Sequence, residues 1–212
     1  MKRFLPLALA LAFAAIPLRA QAHFIWATVQ PDGARVQLEL ADEPGKPDVP
    51  ILGQKIGSIN LFGIGKLVLE SDKLHVSAPI LGGRKAVGAE LFFGVFNNWL
   101  VHFWAKGASD LDSATKRMGL AAEISLRKTN KGWEAQVVQD GKPVSGADVE
   151  IYAPGKATIV KKSSHEGLVP LPELRPGMLY IGADITHLKP GNYQGTAYGE
   201  RRDLTSLTVR IG

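Results

Sequence analysis

Glycine and proline break this chain every few residues, and that punctuation constrains its fold more than any other feature. With 23 glycines and 13 prolines among 212 residues, no long stretch keeps the 3.6-residue apolar period of a surface helix. Between the breaks lie short runs rich in β-branched and aromatic residues, the pattern of strands separated by turns. The sequence therefore predicts an all-β protein made of two consecutive β-sandwich modules, Ig-like or prealbumin-like.

Residues 24–29 read as a first strand. Pro31-Asp32-Gly33 reads as a turn, and Val36, Leu38 and Leu40 alternate with polar residues as a half-buried second strand. Residues 41–50 are acidic and proline-containing, hence a surface loop. Residues 51–64 fit a short helix followed by a strand. Residues 66–76 and 89–105 fit further strands, with a glycine-rich turn at Gly82-Gly83. The polar segment 110–120 breaks the rhythm and sets the expected module boundary, giving domains 23–118 and 119–212. In the second module, residues 133–139, 147–152, 157–161, 179–186 and 205–211 are expected strands. Asp140-Gly141-Lys142-Pro143 and Ser164-His165-Glu166-Gly167 are expected turns.

The first 22 residues have the form of a cleavable secretory signal. Lys2 and Arg3 precede an apolar run from Phe4 to Ile16, and Ala20-Gln21-Ala22 supplies the small-x-small cleavage box. The apolar run is too short to span a bilayer, which takes about 20 residues. The expected mature chain has no membrane span and lies in the periplasm. Removing the three cations of residues 1–22 from the 25 basic residues leaves a net charge of +2 against 20 carboxylates. So small an excess points to no nucleic-acid partner. Cysteine is absent, which excludes thiolate metal sites, thiol nucleophiles and disulfides. Any transition-metal site must use imidazole, carboxylate or amine ligands.

Cleavage after Ala22 would make His23 the first residue. A terminal histidine presents an α-amine and a ring nitrogen that close on one ion as a chelate. With ordinary pKa values near ~8 and ~6.5, both groups shed their protons readily to a divalent metal at neutral pH. His102 alternates with Val101 and Phe103 in a strand and is the expected second imidazole, completing a planar amine–ring–ring brace suited to Cu(II) or Ni(II). The alternative for His102 is a core histidine bonded to a carbonyl. His187 ends a strand before the turn Leu188-Lys189-Pro190-Gly191, as a third ligand, a residue supporting one, or a solvated loop histidine. His75 alternates with Leu74 and Val76 in a polar strand and reads as a surface residue; His165 lies in a turn and reads as structural.

From Asp140 onward, Asp140-Gly141-Lys142-Pro143-Val144-Ser145-Gly146-Ala147-Asp148-Val149, Gly167 and Pro176-Gly177 before Tyr180 resemble a carboxypeptidase-regulatory-like β-sandwich. Three segments of the chain, together with Tyr198, resemble a bacterial exported family described as nickel-uptake accessory proteins. They are Ala22-His23-Phe24-Ile25-Trp26, Leu100-Val101-His102-Phe103-Trp104-Ala105-Lys106 and His187-Leu188-Lys189-Pro190-Gly191. That resemblance implies periplasmic metal handling, with a membrane metal transporter as partner. Ser164-His165-Glu166 departs from the Asp-rich turn common there, so nothing is carried to His165.

The expected function is binding of Cu or Ni for uptake, delivery or buffering, without turnover. Two alternatives belong to other classes. One is a histidine-brace copper oxidase or monooxygenase, which needs an open coordination position beside His23. The other is a carbohydrate-binding or adhesive module using Trp99, Phe103 and Trp104 as a stacking platform, although aromatics at this density usually form a core. Ser163-Ser164-His165-Glu166 is no triad, since triad members converge from distant segments. Gly63-Ile64-Gly65 lacks the third glycine of a dinucleotide loop.

Overall fold

A computed structural model describes residues 23–47 and 50–212; the expected signal segment 1–22 lies outside the described residues. The chain is all-β, as its punctuation predicts, and its strands stack in three layers. The elements run β1 (Phe24–Val29), β2 (Arg35–Ala41), α1 (Ile51–Lys55), β3 (Ile59–Phe62), β4 (Val68–Leu69), β5 (His75–Pro79), β6 (Ala86–Phe96) and β7 (Trp99–Ala108). They continue with α2 (Leu111–Thr115), β8 (Ala122–Thr129), β9 (Gly132–Gln139), β10 (Lys142–Pro143), β11 (Asp148–Tyr152) and β12 (Ile159–Lys162). The last are β13 (Leu168–Pro170), β14 (Gly177–His187), β15 (Gly191–Tyr193), β16 (Thr196–Tyr198) and β17 (Glu200–Ile211). Among the described residues no helix is long and apolar enough to cross a membrane.

The middle layer is a seven-stranded sheet ordered β12-β11-β14-β17-β7-β6-β3. On one face lies the four-stranded sheet β1-β2-β5-β4; on the other, β9 pairs with β8, β10 and β13. Each gap holds its own core. Phe24, Trp26, Leu38, Val101, Phe103 and Leu204 fill the first, and Trp104, Ile124, Val137, Ile151, Ile181 and Leu207 the second. Strand alternation explains the division, because successive residues of β7 and β17 point to opposite faces. Both faces of these strands are covered, so β7 reads as a largely apolar run, whereas β17 also buries Asp203, Thr205, Ser206 and Thr208.

The expected boundary at 118/119 falls between α2 and β8, yet chain on both sides of it builds the middle sheet. β17 pairs in parallel with β7 from Glu200↔Trp99 to Val209↔Ala108, and antiparallel with β14. The two expected modules thus share one sheet. The expected strand 89–105 is a hairpin, β6 and β7. It turns at Asn97 and Asn98, which take positive φ of 46° and 68°, the left-handed pair that a tight hairpin needs. The polar segment 110–120 holds α2, capped by Asp110, whose carboxylate accepts from the Ser113 amide at 2.8 Å.

Candidate functional site

Strand β1 begins at the residue after His23, pairs with β2 along one edge and packs on the middle sheet. Phe24, Ile25 and Trp26 are buried, and β1 pairs with β2 along its whole length. The Ser206 hydroxyl donates to the Ile25 carbonyl. Glycines permit the close approach of the layers: a Cβ on Gly182 would lie 2.8 Å from the Phe24 ring, and one on Gly107 2.4 Å from the Ala27 carbonyl oxygen. Trp26 donates its indole N–H to the Ala41 carbonyl at 3.2 Å and meets the edges of Tyr152 and Tyr180. This packing fixes the backbone immediately after His23.

Register then determines the neighbour of His23. Phe24 pairs with Ala41, so Asp42 is next in line across the ladder. Its Oδ1 lies 2.8 Å from His23 Nδ1, with the side chains 26% and 35% exposed respectively. Although the atoms are at contact distance, Asp42 Oδ1 is buried and receives no aligned hydrogen bond. Beside them, the Tyr152 hydroxyl donates to Glu150 at 2.7 Å and lies 3.1 Å from the Asp42 carbonyl oxygen. Burial first, then Glu150, Glu43 and Asp42, hold the Tyr152 pKa well above its ordinary value, so the hydroxyl remains a donor. On the same face, Asp184 is engaged by the Arg202 guanidinium, which stacks 4.2 Å over the Trp99 ring.

His102 and His187 occupy the opposite face of the middle sheet, so the expected amine–ring–ring brace is not assembled. β1 covers the face bearing Phe103, Leu204 and Ser206, whereas His102 shares the other face with Trp104. There the two histidines converge on Asp203, which is fully buried. His187 Nε2 is 3.2 Å from its Oδ2 and His102 Nδ1 3.8 Å from its Oδ1. Gln139 donates to Asp203 at 2.7 Å and Arg201 at 3.0 Å. His102 Nε2 contacts Glu90 at 2.7 Å, and its ring lies between Phe92 and Trp104. Burial lowers the His102 pKa despite Glu90 and Asp203. The arrangement fits the core-histidine alternative, with carboxylates as partners in place of a carbonyl.

Trp104, buried at 6% exposure, presents no stacking surface. His165 is exposed in its turn. His75 is structural but not at the surface: it sits between Asp72 at 2.6 Å and Glu39 at 3.1 Å, and Glu39 also accepts from the Gly45 amide. Sequence reading missed Asp42, Glu150 and Asp203. Asp42 alone had a usable signal, since pairing the first two alternating strands sets it opposite His23.

Among the described residues, no group of three or more His, Cys, Asp or Glu side chains is arranged to hold a metal ion. His23 and Asp42 place one imidazole and one carboxylate side by side. Comparison with protein-family models, with curated proteins and with solved structures found no match to this chain.

Proposed function

We propose that this chain is an exported, periplasmic protein that binds one Cu(II) or Ni(II) ion through its processed terminus and serves metal uptake, delivery or buffering. The observation that carries the reading is the seating of β1. From Phe24 onward the backbone is hydrogen-bonded to β2 and its side chains are buried against the middle sheet, so an amine on His23 would be held in place and not frayed. A fixed amine and imidazole lose little conformational freedom when they chelate, which raises affinity. His23 remains partly exposed, as loading and unloading require. The reading rests on His23 alone of the three expected histidines, with a membrane metal transporter as the recipient or donor of the ion.

The test is competition of the protein beginning at His23 against a chromophoric chelator, with Cu(II) and then Ni(II). One tight equivalent is expected. A variant carrying one extra alanine before His23 should bind at least tenfold more weakly; equal affinity would refute the mechanism.

A further inference from the structure

We infer that the Asp42 carboxylate is the third donor of this metal site, so that the ion is held by the His23 amine, His23 Nδ1 and Asp42 Oδ1. The inference rests on the preceding reading and specifies its ligand set. Three observations carry it.

The first is which ring nitrogen faces the carboxylate. Only Nδ1 closes a six-membered chelate ring with the same residue's amine, and it is Nδ1 that stands 2.8 Å from Asp42 Oδ1. The second is the distance. Two ligand atoms about 2.0 Å from an ion and at right angles to each other are about 2.8 Å apart, so an ion can take both with little rearrangement of the side chains. The third is the state of Asp42 Oδ1, which is buried and without an aligned hydrogen bond. With its contact to the His23 ring out of hydrogen-bond alignment, that oxygen would gain from a coordinated cation. Asp42 is placed by the β1–β2 register, so the donor is built into the fold.

The set is mixed, two nitrogens and one oxygen, which suits Cu(II) or Ni(II) in tetragonal geometry and leaves a position for an exchanging partner ligand. With no thiolate or thioether among the three donors, it has little to hold Cu(I).

Asp42→Asn in the protein beginning at His23 separates this inference from the reading beneath it. Copper affinity should fall at least tenfold, and the Cu(II) electron paramagnetic resonance spectrum should shift as an oxygen donor is lost. The thermal midpoint should stay within a few degrees, because Asp42 Oδ1 accepts no aligned hydrogen bond. Asp42→Ser, smaller and neutral, should give the same loss if the amide variant folds poorly. If the alanine extension abolishes tight binding while Asp42→Asn and Asp42→Ser change neither affinity nor spectrum, Asp42 is no ligand and the N-terminal reading stands. If the unextended protein binds no copper, both fall.

Discussion

The ion pair between Lys106 and Glu123 joins β7 to the start of β8, and replacing either partner should be severe. Both side chains are essentially inaccessible, 0% and 1% exposed. Lys106 Nζ donates to Glu123 at 2.9 Å and to the Lys116 carbonyl at 2.5 Å, with the Ala114 carbonyl at 3.4 Å. Glu123 accepts from the amides of Met118 at 2.8 Å and Gly119 at 3.0 Å. Lys106→Met leaves a buried carboxylate with amide donors but no countercharge, and Glu123→Gln leaves a buried ammonium. Breaking such a pair costs about 3–5 kcal/mol, a large part of the roughly 5–15 kcal/mol that stabilises a domain. The double variant removes both charges and leaves only weakened neutral hydrogen bonds, at a cost of about 1–3 kcal/mol. Urea denaturation followed by far-ultraviolet circular dichroism on all four proteins yields the coupling energy, expected to exceed about 2 kcal/mol. Single variants each losing less than about 1 kcal/mol, or a double variant matching their sum, would refute the reasoning.

Gly107→Ala should destabilise the protein by about 1–3 kcal/mol or more, because its Cβ would meet the Ala27 backbone; a melting curve unchanged from wild type would contradict the close packing of β1. Asp203→Ala removes the buried partner of Arg201, Gln139 and two histidines, and should cost about 1–3 kcal/mol by urea titration. For His75, burial is the largest single influence and lowers the pKa, but hydrogen bonds from Asp72 and Glu39 outweigh it and the pKa is raised above 6.5. His75 in turn holds Asp72 down at about 2. Because the folded value of His75 exceeds the unfolded one, its stabilisation is fully present below pH 6.5 and is lost as pH rises through the folded value. Nuclear magnetic resonance should give His75 a midpoint above 6.5, and the stability gap to His75→Gln should narrow with rising pH. A midpoint at or below 6.5 would count against the Asp72–His75–Glu39 arrangement.

Much of the architecture is legible in short-range pattern. β1 follows from its apolar, aromatic run, β2 from alternation, and β9, β11 and β14 from runs between turn residues, while α1 and β3 match one reading of a segment whose periodicity does not decide. β8 is not legible in this way. Its Glu123 and Ser125 alternate with Ile124 and Leu126 as if facing water, yet all four are buried: Ile124 and Leu126 enter the second core, and Glu123 is paired with the buried Lys106. The parallel pairing of β17 with β7 joins residues about a hundred positions apart in the chain, and no local periodicity encodes it. The same gap explains the histidines. Alternation gives His102 its parity along β7 but not which face of the sheet β1 will cover. The neighbours of His23 depend only on one hairpin, so that half of the site was within reach of the sequence.

The position of β17 sets the order in which this molecule can assemble. β17, which follows every other strand of the middle sheet in the chain, lies in that sheet's interior, with β14 on one flank and β7 on the other. Before it arrives, β7 exposes an open edge that invites other chains, and the first half of the protein has no finished sheet on which to settle. Completion of the sheet must therefore wait until β17 has been made, and closure depends on a contact of long sequence separation, which slows it. A chain truncated shortly before residue 200 would carry two open strand edges, on β14 and β7, and should be prone to aggregation.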